Sequence, residues 1–105
     1  FLRRRKSALI DGAGDDARRV EALLRRAIAL DPKLTKGFFE LGVLLADQQR
    51  YEEAIEQLRR ATTLQPSLAQ AHYRLGQLYQ RVGRPDLAEK ELAVFRELKA
   101  KGEDK

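Results

Sequence analysis

The sequence lacks cysteine, methionine and tryptophan, and it holds one histidine, His72, and three prolines in 105 residues. Without cysteine, neither a disulfide framework nor a thiolate metal site can form. A single histidine excludes histidine-cluster metal sites and disfavours a histidine-based catalytic pair. No apolar run approaches the roughly 18 residues that span a bilayer. The remaining composition, 43% hydrophobic and 35% charged, is typical of a soluble, helix-rich domain, cytoplasmic by default.

The formal net charge of +5 is a weak indication of an anionic partner, and simple solubility explains it as well. Because the chain begins at Phe1 without methionine, we expect a fragment or a processed product. Its opening "FLRRRK", residues 1–6, is an apolar pair followed by four cations, as at the cytoplasmic edge of a membrane helix lying upstream. The favoured alternatives are a degenerate first helix of the array or simply the solvated end of the array, so we expect membrane contact only through such an upstream segment.

One stretch of the chain is written nearly twice. "LRRAIALDP" at residues 24–32 returns 34 positions later as "LRRATTLQP" at residues 58–66. The same offset relates residues 33–66 to 67–100, where the identical positions are almost all apolar or small. Self-similarity at a fixed period of this length is the signature of a stacked repeat array. We predict one domain, 1–105, divided into a partial or degenerate first unit 1–32, units 33–66 and 67–101, and a polar tail 102–105.

Each unit divides into two helices, because its apolar and small residues recur at helical spacing in two groups. The first helices carry Phe38, Leu41, Gly42 and Leu45, then His72, Leu75, Gly76 and Tyr79; the second helices carry Tyr51, Ala54, Ile55, Leu58 and Ala61, then Leu87, Ala88, Leu92 and Phe95.

Polar breakers separate the helices. Gly83 is suited to the left-handed conformation that ends a helix, and Pro85 to the first turn of the next. Pro32 and Pro66 end the units, because proline cannot continue a helix. Ser67 with Gln70 predicts a capping box, and the glycines of "DGAGD", residues 11–15, predict a turn between two helices of the first unit.

With these features the chain resembles the tetratricopeptide repeat family, whose pattern is an aromatic residue, Leu-Gly, Tyr, then Ala, an aromatic residue and Pro at fixed spacings. One unit follows it at Phe38, Leu41, Gly42, Leu45, Ala54, Leu58 and Pro66, and the next at His72, Leu75, Gly76, Tyr79, Ala88 and Leu92, with Ala100 where proline would stand. Residues 15–32 match a second helix, with Val20 in the alanine place. Arg4, Ser7 and Asp11 take places where the family has apolar residues, although Ala8 fits. The resemblance implies an all-α fold of tandem antiparallel helix–turn–helix repeats stacked as a right-handed α-solenoid.

No catalytic or cofactor arrangement stands out. The acid pairs Asp15–Asp16 and Glu52–Glu53 fall at predicted helix starts, where the helix dipole explains them. His72 takes the place of a packing aromatic. The glycines of residues 11–15 follow no strand and precede no lysine, so they do not form a phosphate cradle. We therefore expect no enzyme activity, no metal, no cofactor and no small-molecule substrate.

The resemblance implies a protein–protein interaction scaffold whose concave face, formed by first helices, holds a peptide or helix of a partner. The candidate residues are those of the first helices that point away from the packed face. They are Lys36, Phe39, Glu40, Val43, Asp47, Gln70, Tyr73, Arg74, Gln77 and Arg81. Phe39 and Tyr73 are related by the offset and would form an aromatic stripe. The alternative is that both rings simply bury against neighbouring helices.

Some members of the family grip the C-terminal carboxylate of chaperones with a clamp of lysines, asparagines and an arginine. Here Arg5 and Arg74 stand in two of those places, but Leu9, Glu40 and Gln70 occupy the others. Glu40 would repel a carboxylate, so a mixed-charge peptide or a helix is the better prediction.

Two other functions stay open. The C-terminal end of the array carries Val94, Phe95 and Leu98, an apolar group that predicts weak self-association; the other outcome is that Phe95 folds back as an internal cap. The pairs Arg25–Arg26 and Arg59–Arg60 suggest nucleic acid. No aromatic accompanies these pairs, and acidic residues four positions earlier predict the ion pairs Glu21–Arg25 and Glu56–Arg60 of a solvated face.

Overall fold

The computed structural model describes the backbone of residues 2–103 and the side chains of residues 14–102. Five helices and no strand lie in this part of the chain. They are α1 (Leu2–Leu30), α2 (Thr35–Asp47), α3 (Tyr51–Leu64), α4 (Ala69–Arg81) and α5 (Pro85–Glu103). The all-α fold is as predicted, and α5 continues one residue past the start of the predicted polar tail, with residues 104 and 105 outside the described part.

The helices pack in chain order. The most extensive contacts pair α2 with α3 and α4 with α5, while α3 with α4 and α1 with α2 join successive units. The molecule measures 56 × 32 × 26 Å, and its radius of gyration of 16.2 Å exceeds the about 13 Å of a compact domain of this length. Tandem helical pairs are thus stacked into an elongated solenoid. No helix within residues 2–103 combines the length and apolar character needed to cross a membrane.

The core is built from the residues that recur with the repeat. Leu41, Leu45, Leu58 and Leu75 are fully buried, and each buried leucine contributes about 1.5–3 kcal/mol to the free energy of unfolding. Two glycines, Gly42 and Gly76, each leave a notch into which a leucine of the paired helix packs. A Cβ atom on Gly42 would lie 2.6 Å from Cγ of Leu58, and one on Gly76 would lie 2.6 Å from Cγ of Leu92. The helices of each pair can therefore approach closely only because these two residues have no side chain.

The turns inside the two complete units have one geometry. Gln49 and Gly83, which are 34 residues apart, both adopt left-handed backbone, with φ of 63° and 77°. The amide of the next residue then bonds back five residues, from Arg50 to Leu45 at 2.9 Å and from Arg84 to Tyr79 at 2.8 Å. The prediction for Gly83 is confirmed, as is Pro85 at the first residue of α5.

The predicted capping box is wrong. The N-cap of α4 is Leu68, one residue after Ser67, and no side chain caps the helix. The backbone supplies the bonds instead, because Leu68 N–H donates to the carbonyl of Gln65 and the Leu68 carbonyl accepts from Ala71. Because Leu68 and not Ser67 occupies the N-cap position, the Ser67 hydroxyl does not cap the helix.

The turn predicted at residues 11–15 is also wrong, because α1 runs without interruption from Leu2 to Leu30, about 43 Å. The register explains this result. The left-handed position of a unit, 34 residues before Gln49, is Asp15, so Gly12 and Gly14 are out of place for the turn. A fold-back of residues 2–13 would bring polar residues where the other units bury leucine, so no packed face would stabilise it.

Candidate protein-interaction groove

A groove of about 540 Å³ lies between the exposed sides of α2 and α4. Its lining is Phe39, Glu40, Val43, Gln70, Tyr73, Arg74 and Gln77. Six of these residues are three pairs at the 34-residue offset, 39 with 73, 40 with 74 and 43 with 77. The groove is therefore formed by the same helical positions in two successive units.

The groove continues toward the turn between α2 and α3. This second part has a volume of about 450 Å³ and shares Val43, Arg74 and Gln77 with the first. Its other lining residues are Ala46, Tyr51, Leu58, Leu78, Gln80 and Arg81. The guanidinium of Arg81 lies 5.7 Å from the centre of the Tyr51 ring, a cation–π arrangement that positions the arginine at this end.

The apolar part of the groove combines half-buried and exposed side chains. Phe39 and Val43 are half-buried, and Phe39 packs against the core. Tyr73 is 42% exposed, its hydroxyl accepts a 3.3 Å hydrogen bond from Gln77, and its ring lies 4.9 Å from the ring of Phe95. The two aromatic residues of the predicted stripe thus line one groove, and each is held in place by a neighbouring element.

The charged residues of the groove have both signs. Glu40 and Arg74 occupy equivalent positions on neighbouring helices, and Arg81 adds a second cation near the far end. Lys36 and Asp47 are exposed and line neither part of the groove. Of the ten residues that the sequence selects, eight therefore lie together along α2 and α4. The side chains of Arg5 and Leu9, the other clamp positions, lie outside the described residues.

The C-terminal end of the array is less exposed than its composition suggests. Phe95 is half-buried because its ring packs on Tyr73, and Leu98 is half-buried as well. Val94 is 36% exposed. Of the two outcomes expected for Phe95, the structure shows an internal contact, and Val94 is the main apolar side chain left at this end.

His72 joins three elements. Its Nδ1 lies 2.7 Å from a carboxylate oxygen of Glu91 on α5, and its Nε2 lies 2.8 Å from the carbonyl of Pro66 in the turn between units. The equivalent pair one unit earlier is Phe38 and Gln57, where the ring offers no hydrogen bond. Gln57 is only 8% exposed, and its Oε1 is buried without a partner. His72 is thus buried in a packing position, as its place in the repeat predicts, and its two hydrogen bonds are a feature that the repeat does not predict.

An ionic network lies where α1 meets the turn between α2 and α3. Arg50 donates to Glu53 at 2.7 and 2.9 Å and to Glu21 at 2.8 Å, and Glu21 also accepts from Arg25 at 2.9 Å. The hydrogen bonds from Arg50 hold the pKa of Glu21 and of Glu53 below the ordinary value of 4.5. The same bonds, that from Glu53 first, raise the pKa of Arg50. The network ties the first helix to the first complete unit.

The repeated arginine pairs are partly engaged in such ion pairs. Arg25 bonds Glu21, and Arg60 bonds Glu56 at 3.2 Å, so both predicted ion pairs are confirmed. Arg60 also lies over the ring of Phe38 at 5.9 Å, so the expectation that no aromatic accompanies these pairs is wrong for Arg60. Among the described residues, no group of three or more acidic or histidine side chains is placed to hold a metal ion.

Sequence reasoning missed the second part of the groove and the contact between Tyr73 and Phe95. The helical spacing assigns Tyr51, the first residue of α3, only to packing, whereas the structure shows it half-buried and lining the groove. The helical spacing does not link Tyr73 with Phe95, because it places Tyr73 on the outward-pointing side of α4 and Phe95 at a packing position of α5.

Comparison with known proteins supports the repeat assignment. Residues 44–83 match the family model of the TPR repeat, a span that covers the end of α2, all of α3 and α4, and the turn that follows. A search of curated protein sequences found no significant match.

Several solved structures share the fold. A crystal structure of MamA superposes with a TM-score of 0.83 at 23% identity, over 90% of this chain and 56% of that one. A point mutant of MamA gives a TM-score of 0.70 at 29% identity, over 72% and 56% of the two chains. A MamA RS-1 double mutant gives 0.81 at 21% identity, over 96% and 56%. The chain spans a little over half the length of these structures.

The family match and the fold agree with the resemblance drawn from the residues. Tetratricopeptide repeats are typically interaction modules and not enzymes. Residues 44–83 of this chain match a tetratricopeptide repeat, and the chain shares its stacked helical-pair fold with the MamA structures. The repeat match supports a role in protein–protein interaction.

Proposed function

We propose that the chain is a non-enzymatic scaffold that binds a peptide or helix of a partner protein in the groove between α2 and α4. The observation that carries this proposal is the composition of the groove, which is lined by the same first-helix positions of two successive units. A surface that repeats every unit extends along the solenoid, and an extended or helical segment can follow it.

The groove chemistry defines the partner segment. Phe39, Val43 and Tyr73 offer apolar surface, so the segment presents at least one apolar anchor side chain. Arg74 and Arg81 favour an acidic side chain toward one end, whereas Glu40 favours a basic one nearby. An amphipathic segment of mixed charge fits this pattern better than a terminal carboxylate, which Glu40 would repel.

The test is a pull-down from the native lysate with the tagged chain, analysed by mass spectrometry. The double variant Tyr73→Ala with Arg74→Glu removes the exposed ring and reverses one charge of the groove. The matched control is Arg59→Glu, which reverses an exposed arginine of α3 that does not line the groove. We expect the double variant to lose partners that both wild type and the control retain, with all three chains showing the same helical circular dichroism spectrum.

The captured partner is then reduced to fragments, and the binding fragment is titrated against the three chains by calorimetry. Loss of an aromatic anchor and a charge contact at an interface centre weakens binding by about 2 kcal/mol or more. A set of partners that is unchanged by the groove variant would rule out this groove as the binding site.

A further inference from the structure

A second cleft lies between α1 and α3, and it shares no lining residue with the groove of α2 and α4. Its main part has a volume of about 420 Å³, and a smaller part of about 310 Å³ continues from it toward Leu64 at the end of α3. Pro32, Phe38 and Arg60 line both parts, which together are called the α1–α3 cleft below. Clefts of a few hundred Å³ are of the size that takes a small ligand group.

The main part of the cleft is lined by a glutamine that is almost fully buried. Gln57 is 8% exposed, and its amide oxygen is buried without a hydrogen-bond partner. Among the described residues, it is the one buried side-chain oxygen or nitrogen in that state. An unsatisfied acceptor lowers the stability of the free chain, and proteins keep such a residue chiefly where it has a function. The last torsion of a glutamine is broad, so the oxygen can turn toward a donor in the cleft.

The next unit shows which donor satisfies this position. Glu91 stands 34 residues after Gln57, and its carboxylate lies 2.7 Å from Nδ1 of His72. The first complete unit has Phe38 in place of His72, and a phenyl ring has no N–H to offer. An aromatic N–H is therefore present at one of two equivalent sites and missing at the other, so a donor for Gln57 has to come from another molecule.

The rest of the cleft is either apolar or already paired. Ile28, Ala29, Pro32 and Phe38 form its apolar part. The charged residues of the lining all take part in ion pairs, which are Arg25 with Glu21 and Glu53 at 2.9 and 3.7 Å, Glu53 with Arg50 at 2.7 Å, and Arg60 with Glu56 at 3.2 Å. A charged ligand would have to break one of these pairs, whereas a neutral ring can pack against the apolar part.

We propose that the α1–α3 cleft binds a neutral aromatic ring that carries one N–H donor, for which indole is the model. Its N–H donates to the amide oxygen of Gln57, and because indole has one donor and no acceptor, no polar group of the ligand is left unpaired. The ring packs between the apolar side chains of α1 and the guanidinium of Arg60. Arg60 is suited to this contact, since it already lies over one aromatic ring, that of Phe38.

The probe for this test is free indole, titrated with the full chain. Residues 1–105 contain no tryptophan, so indole emission can be excited selectively and its change reports binding. We expect saturable binding with a Kd on the order of 1 mM, the range of a ligand this small. 1-Methylindole, which has a methyl group in place of the N–H hydrogen, should bind at least about fivefold more weakly, because the acceptor then stays without a donor.

Two variants test the role of Gln57, and thermal melts check that each is folded. In Gln57→Leu the preference for indole over 1-methylindole should disappear, since the acceptor is gone. Phe38→His with Gln57→Glu copies the pair of His72 and Glu91, and it should weaken indole binding at least about fivefold, because the acceptor is bonded within the chain. The groove variant Tyr73→Ala with Arg74→Glu should bind indole like wild type, so this test does not depend on the function proposed for the groove.

A free molecule and a tryptophan side chain offer the same ring, and N-acetyl-tryptophanamide separates the two sources. Binding as tight as that of indole identifies a peptide side chain, and weaker binding identifies a free molecule; either result supports the proposal.

Three results would overturn the proposal. The first is no saturable binding up to the solubility limit of indole, which would mean that water alone fills the cleft. The second is the same preference for indole over 1-methylindole in wild type and in Gln57→Leu. The third is a set of amide NMR shift changes on addition of indole that spares Ile28, Phe38, Gln57 and Arg60.

Discussion

At the scale of single residues, one position of the 34-residue repeat occurs three times in the chain, each time in a different environment. Residue 91 is a glutamate that accepts from His72, residue 57 is a glutamine opposite Phe38, and residue 23 is a leucine that is 67% exposed. Of these three residues, only Gln57 has a buried polar atom without a partner. A hydrogen-bonding side chain is therefore useful here only when the facing residue can bond it.

Gln57→Leu should stabilise the protein. The change removes a buried oxygen that has no partner and inserts a residue that the repeat already uses at position 23. We expect a gain of about 1 kcal/mol in the free energy of unfolding, which is a rise of about 4–8 °C in melting temperature for a domain of this size. The matched control, Glu91→Leu, takes the acceptor from buried His72 and should destabilise the fold by about 1–3 kcal/mol. Thermal melts in which both variants move in the same direction would contradict this explanation.

Gly76→Leu should destabilise the fold by about 1–3 kcal/mol, the usual cost of overpacking. Even the first added carbon would lie 2.6 Å from Cγ and from Cδ2 of Leu92, which must then move away from α4. Gly14→Leu is the matched control, because nothing lies within 4 Å of a Cβ at that position. There the gain in helix propensity should leave stability equal or slightly higher. Chemical denaturation measures both, and equal effects at the two sites would show that the notch is not required.

At the scale of elements, the contact between α1 and the first complete unit depends on charge. Glu21 and Glu53 have lowered pKa values because Arg50 donates to both. Their contribution to stability is complete above the ordinary pKa of 4.5. Below that pH the unfolded chain takes up protons first, so the contribution falls until the folded carboxylates are protonated as well.

Glu21→Gln should therefore lower the melting temperature at pH 7, and the difference from wild type should shrink as the pH falls below about 4.5. Thermal melts between pH 7 and pH 3 measure it. The double variant with Arg50→Gln should lose less than the sum of the two single losses, since both remove one interaction. A difference that is constant with pH would mean that Glu21 acts through packing alone.

The helices could be predicted from the sequence to different extents. The pattern predicts α2 to α5 because apolar spacing, glycine and proline agree in register. The same pattern wrongly predicts a turn at residues 11–15 of α1, because glycine permits a turn without requiring one. The residues before these glycines also cannot form a face that would pack against the rest of α1. All seven residues of the groove are among the outward-facing first-helix positions selected from the sequence, and six of them are pairs at the offset. The contact of Phe95 with Tyr73 needs the three-dimensional packing. The binding role of the groove residues stays a prediction.

At the scale of the whole molecule, we expect weak self-association through the C-terminal end of α5. Val94 is exposed there beside half-buried Phe95 and Leu98, and covering such side chains is worth about 1.5–3 kcal/mol each. The affinity should be micromolar or weaker, because Phe95 already packs on Tyr73. Val94→Glu should keep the chain monomeric without disturbing that contact. The control Leu64→Glu, on α3, should leave self-association unchanged. Light scattering over a wide concentration range measures this, and a wild type that is monomeric throughout would exclude it.

The order in which the helices pack has a consequence for amide hydrogen exchange. Within the described part of the chain, each helix contacts the next one, and α2 with α4 is the one contact between helices that are not consecutive. Neither end of the array is tied to the other, so α5, or α1 over residues 14–30, can open while the centre stays folded. Opening α3 instead requires its contacts with both α2 and α4 to break. Protection factors should therefore be highest in α3 and decline toward both ends.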